Sequence, residues 1–140
     1  MSIVVVTAAA LVAWQEVFDG RLPQAYLDAA RGQPVWLILS AGAGFALINA
    51  AVEEALFRGV LQTSLEQLIG PVGAVLIQAV AFGLLHVVGI PTGLVGALMA
   101  GSWGVLLGVL RHRTQGILAS YVAHVAADLT IVAMLLPTLN

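Results

Sequence analysis

Two adjacent carboxylates, Glu53 and Glu54, follow a run of 21 residues, 32–52, that contains no charged side chain. An ionised group at membrane depth costs roughly 2.5 to 3.5 kcal/mol even on the lenient insertion scale, so it is kept mostly where it faces a cavity, a partner or a substrate. Arg58 lies four residues after Glu54, which is the spacing of an ion pair on a helix. We therefore interpret Glu54 and Arg58 as a structural pair beside a buried site.

Glu53 points about 100° away from Glu54 on a helix and has no local partner. Desolvation beside a second carboxylate suits Glu53 to accept a proton, so it is the candidate general base. His86 could share a water with Glu53. His124 and Asp128, four residues apart, face the same cavity from the last helix. These residue types predict that an activated water is the nucleophile.

Other nucleophiles are not indicated. Cysteine is absent and no serine has a Gly-x-Ser-x-Gly setting. The zinc signature His-Glu-x-x-His is also absent. The set nevertheless contains enough nitrogen and oxygen donors for a three-ligand metal site, with Glu53, His86 and His124 as the candidate ligands of a divalent metal such as zinc. Spacing alone leaves both mechanisms open.

The composition indicates a membrane protein. Of the 140 residues, 61% are hydrophobic and 9% are charged, whereas a soluble domain carries about 25% charged residues. The mean hydropathy is +1.04. A chain of this length has room for about four or five helices of ~20 residues, so residues 1–140 are expected to form a single membrane domain. The net charge of −2 excludes the basic patch that nucleic-acid binding requires.

The apolar runs predict the helices that position these side chains. They are 35–68, 72–88, 94–110 and 116–136, separated by Gly70-Pro71, residues 89–93 and residues 111–113. Small residues are frequent in the runs and allow close approach of helix backbones in lipid. The predicted fold is all-α: a polytopic transmembrane bundle with a four-helix catalytic core at residues 35–136. His112, between two arginines, is interpreted as part of a loop that determines topology.

Residues 1–34 are predicted to form an N-terminal hydrophobic segment and a polar loop. The apolar run 3–14 would span only ~18 Å as a helix, short of the ~30 Å hydrocarbon core, so an interfacial helix or a truncated span is expected. No basic residue precedes it and no clear cleavage site follows, which favours a retained segment. Residues 19–33 are polar and fit a loop or a short surface helix. Trp14, Trp36 and Trp103 lie near span ends or bundle surfaces, and two of them are expected to be interfacial anchors.

The positive-inside rule orients the chain by a small majority. Arg58, Arg111 and Arg113 are placed in the cytoplasm, and Arg21 and Arg31 outside. Counted from the cytoplasmic side, His124 lies ~15 Å and His86 ~22 Å deep. Glu53 reaches that depth only if its long helix protrudes or tilts, so that the bilayer covers about residues 38–61.

Three motifs, in this order and on separate helices, resemble the CAAX-prenyl-protease and bacteriocin-processing family of intramembrane endopeptidases, also called the Abi family. The family pattern is Glu-Glu-x-x-x-Arg, then Phe-x-x-x-His, then His-x-x-x-Asn or Asp. This chain has Glu-Glu-Ala-Leu-Phe-Arg-Gly at 53–59, Phe-Gly-Leu-Leu-His at 82–86 and His-Val-Ala-Ala-Asp at 124–128. All three in order, with the Phe-Arg-Gly extension, are specific, and they cover about residues 49–130.

The resemblance implies roles for these residues. Glu53 and His86 would activate a water that attacks a peptide carbonyl, while His124 and the residue at 128 would stabilise the oxyanion. A glutamate-type protease is favoured over a metalloprotease. Asp128 departs from the Asn form, and an ionised carboxylate cannot donate to an oxyanion. Asp128 must therefore be protonated, orient His124 or bind metal.

The predicted function is an intramembrane endopeptidase of a prokaryotic cell membrane, multi-pass, acting on a membrane-associated peptide such as a sorting signal or a lipidated tail. The alternative is a non-catalytic membrane immunity or scaffold protein of the same fold. A proton-coupled carrier is a third reading, but no internal repeat supports it. The expected partners are a peptide or protein substrate and the lipid bilayer, with no nucleic acid. The short chain fits a minimal enzyme, a fragment or one protomer of a homo-oligomer.

Overall fold

The computed structural model describes residues 2–17 and 24–136. Within these ranges the chain is helical, with no strand. The elements are α1 (Ser2–Val17), α2 (Gln24–Ala30), α3 (Val35–Glu54), a π-helical segment (Ala55–Gln62), α4 (Thr63–Leu85), α5 (Gly93–Thr114) and α6 (Leu118–Leu135). The all-α prediction is confirmed.

The predicted long helix from residue 35 exists but is not uniform. Its second part is the π segment, which ends at Gln62. The hydroxyl of the next residue, Thr63, donates to the Arg58 carbonyl oxygen, 3.2 Å away and five residues back. The break predicted at Gly70-Pro71 lies inside α4, where Gly70 adopts φ 77° and ψ 171°. Pro71 then begins the second part of α4, because its fixed φ suits a first helical turn.

Two expected helix boundaries are wrong. The second span was expected to continue to residue 88, but α4 ends at Leu85 and His86 is its C-cap. Residues 111–113, which include His112, were expected to form a loop, but they lie in the last turn of α5. Basic side chains are favourable there because the carbonyl end of a helix is partly negative. α5 ends at Thr114, and its C-cap residue, Gln115, has a left-handed φ of 54°.

Close packing of α4 on α5 depends on small residues. A Cβ atom built on Gly83 would lie 2.7 Å from the Ala97 carbonyl oxygen, and one built on Gly104 would lie 3.1 Å from the Ala79 Cα. The two backbones therefore nearly touch, which is the usual route to tight helix association in lipid. α3 packs against α6. The helix that carries Glu53 and Glu54 therefore lies beside the helix that carries His124 and Asp128.

The N-terminal hydrophobic segment forms α1, which packs on α6. Leu11, Trp14 and Met134 make a buried cluster there. Trp14 is only 3% exposed, so it is part of this core rather than a surface anchor. In the polar region, α2 is the short helix that the sequence left as one alternative. Residues 18–23 of that region lie outside the described part of the chain.

In the described part of the chain, two helical stretches are long and apolar enough to cross a membrane, Val35–Leu85 and Gly93–Thr114. The apolar helices Val5–Glu16 and Leu118–Met134 are shorter. Large apolar side chains face outwards along these helices, among them Ile48, Val80, Leu98 and Val122. A bilayer would cover such a surface, whereas in water it would be an association liability. The division into a four-helix core at 35–136 and an N-terminal region stays a prediction.

Candidate active site

His124, on α6, is the centre of the polar cluster predicted from the sequence. Its Nδ1 lies 2.8 Å from Glu54 Oε1. Its Nε2 lies 3.4 Å from Glu53 Oε2 and 3.8 Å from Asp128 Oδ1. A carboxylate only accepts, so Nδ1 donates to Glu54 and the imidazole is held by that bond. The structure thus brings three carboxylates to one imidazole ring.

Glu54 is fixed from its other side by Arg58. Arg58 Nη1 lies 2.9 Å from Glu54 Oε1, and both side chains are 0% exposed. The guanidinium also stands over the rings of Phe82, at 4.7 Å, and Phe57, at 5.9 Å, and these two rings meet edge to face. Such cation–π contacts help to retain a desolvated cation. The ion pair indicated by the four-residue spacing is present, and it anchors the carboxylate that holds His124.

Glu53 has a different environment from its neighbour. Its side chain is 26% exposed, and its Oε2 is buried without a hydrogen-bond partner. The 3.4 Å approach to His124 is an ionic contact that lacks hydrogen-bond geometry. An unpaired carboxylate oxygen beside a buried ring is a free proton acceptor. Two consecutive glutamates therefore differ because successive residues on a helix face different directions.

His86 is positioned by the end of α4. Its Nδ1 lies 2.9 Å from the Phe82 carbonyl oxygen, which can only accept, so Nδ1 carries the hydrogen and Nε2 keeps its lone pair. The Phe82 ring lies 4.6 Å from the His86 ring and 5.8 Å from the His124 ring. Within the described residues no hydrogen bond joins His86 to Glu53. A water would have to connect them.

A cavity of about 450 Å³ opens beside the two histidines and Asp128, and Glu53 is not among the residues that line it. His86, His124 and Asp128 contribute polar atoms to its wall. The rest of the wall is mostly apolar and includes α1, through Thr7 and Leu11, and the 86–92 turn. A cavity of this size and character is typical of a site that takes an extended apolar or peptide segment beside a few polar groups.

The polar cluster offers few free donors to a metal ion. His124 Nδ1 is engaged by Glu54, so only Nε2 could bind a cation. Among the described residues, no group of three His, Asp or Glu side chains is arranged to hold one. The ligand set Glu53, His86 and His124 does not converge in this conformation, and no step of the chemistry is assigned to a metal. The site without a cofactor, with a divalent metal such as zinc as the alternative, stays a prediction.

Sequence reasoning missed three amide side chains, of which Gln62 and Gln78 are buried and Asn49 is partly buried. Asn49 Nδ2 donates to Asp128 Oδ2 at 3.1 Å. Gln62 donates to the Gly108 carbonyl at 3.0 Å, and Gln78 to the Gly104 carbonyl at 2.8 Å. An available signal was the presence of an amide inside an otherwise apolar span. Asn49 also lies four residues before Glu53, on the same face of α3.

A helical membrane bundle with this site belongs to the class of membrane-embedded proteins that gather carboxylates and histidines around a buried cavity. The model of the Rce1-like family, described as "Type II CAAX prenyl endopeptidase Rce1-like", matches residues 23–130. The chain belongs to this family, and it is a membrane protein of protease type. The resemblance stated from the three motifs is confirmed. Comparisons with curated proteins and with solved structures found no match.

Proposed function

We propose that the protein is an intramembrane endopeptidase of the glutamate type, which hydrolyses a peptide bond in a membrane-associated substrate such as a sorting signal or a lipidated tail. The main support is the contrast between the two glutamates. Among the described residues, each glutamate keeps one buried oxygen without a hydrogen-bond partner, but Glu54 is fully buried and bound through Oε1 to both Arg58 and His124, whereas Glu53 has no hydrogen bond and is 26% exposed. A site needs such a free acceptor to take a proton from water.

In the proposed reaction, Glu53 and His86 hold one water between them. The water oxygen attacks the carbonyl carbon of the scissile peptide while its proton passes to Glu53, and the carbonyl electron pair becomes an oxyanion. Collapse of this intermediate breaks the C–N bond, and the proton held by Glu53 goes to the leaving amine. The sum is the addition of one water across one peptide bond.

His124 is proposed to stabilise the oxyanion. Its Nδ1–H is held by Glu54, so an Nε2–H, present when the ring is doubly protonated, would be the donor to the developing negative charge. The apolar cavity would exclude bulk water and so strengthen that interaction. The substrate's flanking residues or its lipid would lie along this apolar wall.

The test is cleavage of a quenched-peptide panel, prenylated and plain, by the purified protein in detergent. Glu53→Ala and His86→Ala should each lower kcat by about 10²- to 10⁴-fold, the range for loss of general acid–base catalysis. The matched controls are Glu16→Gln, which changes an exposed carboxylate, and His112→Gln, which changes a histidine in the last turn of α5 that does not line the cavity. Both controls should retain the wild-type rate.

A chelator separates the two mechanisms. Cleavage that survives chelation supports the glutamate-type mechanism, and loss that zinc restores supports a metalloprotease. If the Glu53→Ala variant functions as well as the wild-type protein in vivo, the enzyme proposal fails and the non-catalytic immunity or scaffold function is favoured.

A further inference from the structure

Asn49 and Asp128 form a side-chain hydrogen bond between α3 and α6. The Asn49 Nδ2 to Asp128 Oδ2 distance is 3.1 Å, and the contact is partly buried. Because a carboxylate accepts, the amide must present its nitrogen here rather than its oxygen. The residues are 79 positions apart in the chain, so the contact depends on the fold rather than on local geometry.

This contact bears on the role of Asp128, for which the sequence left three alternatives. One carboxylate oxygen accepts from Asn49 and the other lies 3.8 Å from His124 Nε2. A carboxyl group that serves as an acceptor on one side and faces a ring nitrogen on the other is arranged to orient that ring.

We propose that Asn49 is a positioning residue: by donating to Asp128 it holds that carboxylate beside Nε2 of His124, so that the imidazole is oriented by a hydrogen bond to Glu54 at Nδ1 and by the charge of Asp128 near Nε2. The contribution of Asn49 to turnover rests on the proposed function, whereas the orientation of the ring does not. The 3.8 Å between Asp128 Oδ1 and Nε2 is an ionic contact rather than a hydrogen bond, so Nε2 keeps room to face the oxyanion.

The first test is a double-mutant cycle on peptide cleavage with Asn49→Leu and Asp128→Ala. Asn49→Leu should lower kcat about 10- to 100-fold with KM unchanged, the range for loss of one hydrogen bond to a charged group. In the Asp128→Ala background, Asn49→Leu should have no further effect, since it acts through the carboxylate. Ser40→Ala is the control, because the Ser40 hydroxyl donates only within α3, to the Leu37 carbonyl.

The second test does not require activity. The chain has three histidines, so ¹⁵N-histidine NMR spectra in detergent can be assigned with His86→Gln and His112→Gln. Asn49→Leu should shift the ring-nitrogen signals of His124 and leave those of His112 unchanged. A merely structural role in joining α3 to α6 would lower the unfolding temperature without this selective change.

The outcomes are distinct. If wild type cleaves peptide and the losses from Asn49→Leu and Asp128→Ala multiply in the double variant, Asn49 does not act through Asp128 and the inference is wrong. An unchanged His124 spectrum in Asn49→Leu also overturns it. If wild type cleaves nothing on the panel while the His124 signals shift as expected, the inference stands and the proposed function is the part in question.

Discussion

Glu53 and Glu54 show how neighbouring residues of one type acquire different duties. Both follow the same uncharged run, but the helix turns one carboxylate to Arg58 and the other to the unpaired position beside His124. A buried charge that loses its partner is strongly destabilising. A partly exposed carboxylate without an ion pair contributes little to stability. The two positions should therefore separate stability from activity.

We expect Glu54→Gln to lower the free energy of unfolding by about 3–5 kcal/mol, because Arg58 would remain buried without its anion. Glu53→Gln should change that free energy by less than about 1 kcal/mol, since Glu53 has no ion pair with Arg58 and is partly exposed, and should abolish cleavage. Denaturant unfolding of both purified variants in the same detergent measures this difference. Equal stability of the two variants would contradict the structural role of the Glu54–Arg58 pair.

At the scale of elements, the interface between α4 and α5 determines where the histidine-bearing end of α4 lies. Gly83 and Gly101 belong to this interface but differ in the space around them. A Cβ on Gly83 would meet the Ala97 carbonyl oxygen at 2.7 Å and the Gly101 Cα at 3.1 Å, both of them backbone atoms. A Cβ on Gly101 would have its nearest neighbour, the Ala79 carbonyl oxygen, at 3.5 Å, an ordinary contact distance.

Gly83→Ala should consequently separate the two helices and lower the free energy of unfolding by about 1–3 kcal/mol, the usual range for overpacking. It should also reduce cleavage, because Gly83 lies one turn before His86. Gly101→Ala is the matched control, and it should be neutral or stabilising by up to about 1 kcal/mol, since alanine is the better helix former. Unfolding in detergent compares the two, and a Gly83→Ala protein as stable as Gly101→Ala would refute the close approach.

Much of this arrangement could be predicted from the sequence, and the failures have physical reasons. Composition and apolar runs predicted the helices and the break at Gly70, since both depend on local residue types. The π segment was missed because hydrogen bonding to the fifth residue leaves no signature in residue type. The helical state of Arg111 was missed as well: its partner Glu66, 2.6 Å away, is on α4.

The same distinction applies to the site. The motif residues were found because each pair has helical spacing, and the three motifs occur in a known order. Asn49 was not found, although it has helical spacing from Glu53, because its partner Asp128 is on another helix. Non-local contacts of this kind require the fold.

At the scale of the whole molecule, contacts identify the two ends of the bundle. At one end, Glu66 of α4 binds Arg111 and His112 of α5. At the other, Gln33 and Ile90 line one cavity just before α3 and α5 begin. α3 and α5 therefore run in the same direction, and the turn that contains Gln115 lies at the end opposite to Gln33.

Glu53 and His86 can be compared by their distance from one end of the bundle. Counted from Glu66, Glu53 lies ~20 Å along the helix, and His86 lies ~24 Å from Gly70 at the same end. Glu53 and His86 therefore lie at similar distances from the end of the bundle that carries Arg111. The protrusion or tilt of the long helix, with the bilayer covering about residues 38–61, stays a prediction.

The direction of the bundle in the membrane can be measured cleanly because the chain has no cysteine. We expect Gln115→Cys to react with a membrane-impermeant maleimide only from the cytoplasmic side, since Arg111 and Arg113 flank that end. Gln33→Cys, at the opposite end, should react only from outside, and the parent protein should not react at all. Labelling of both variants from the same side would refute an odd number of membrane crossings between residues 33 and 115. Labelling from opposite sides, but with Gln115→Cys outside, would keep the odd number of crossings and reverse the orientation, so that the 86–92 turn beside the active-site cavity would lie towards the cytoplasm.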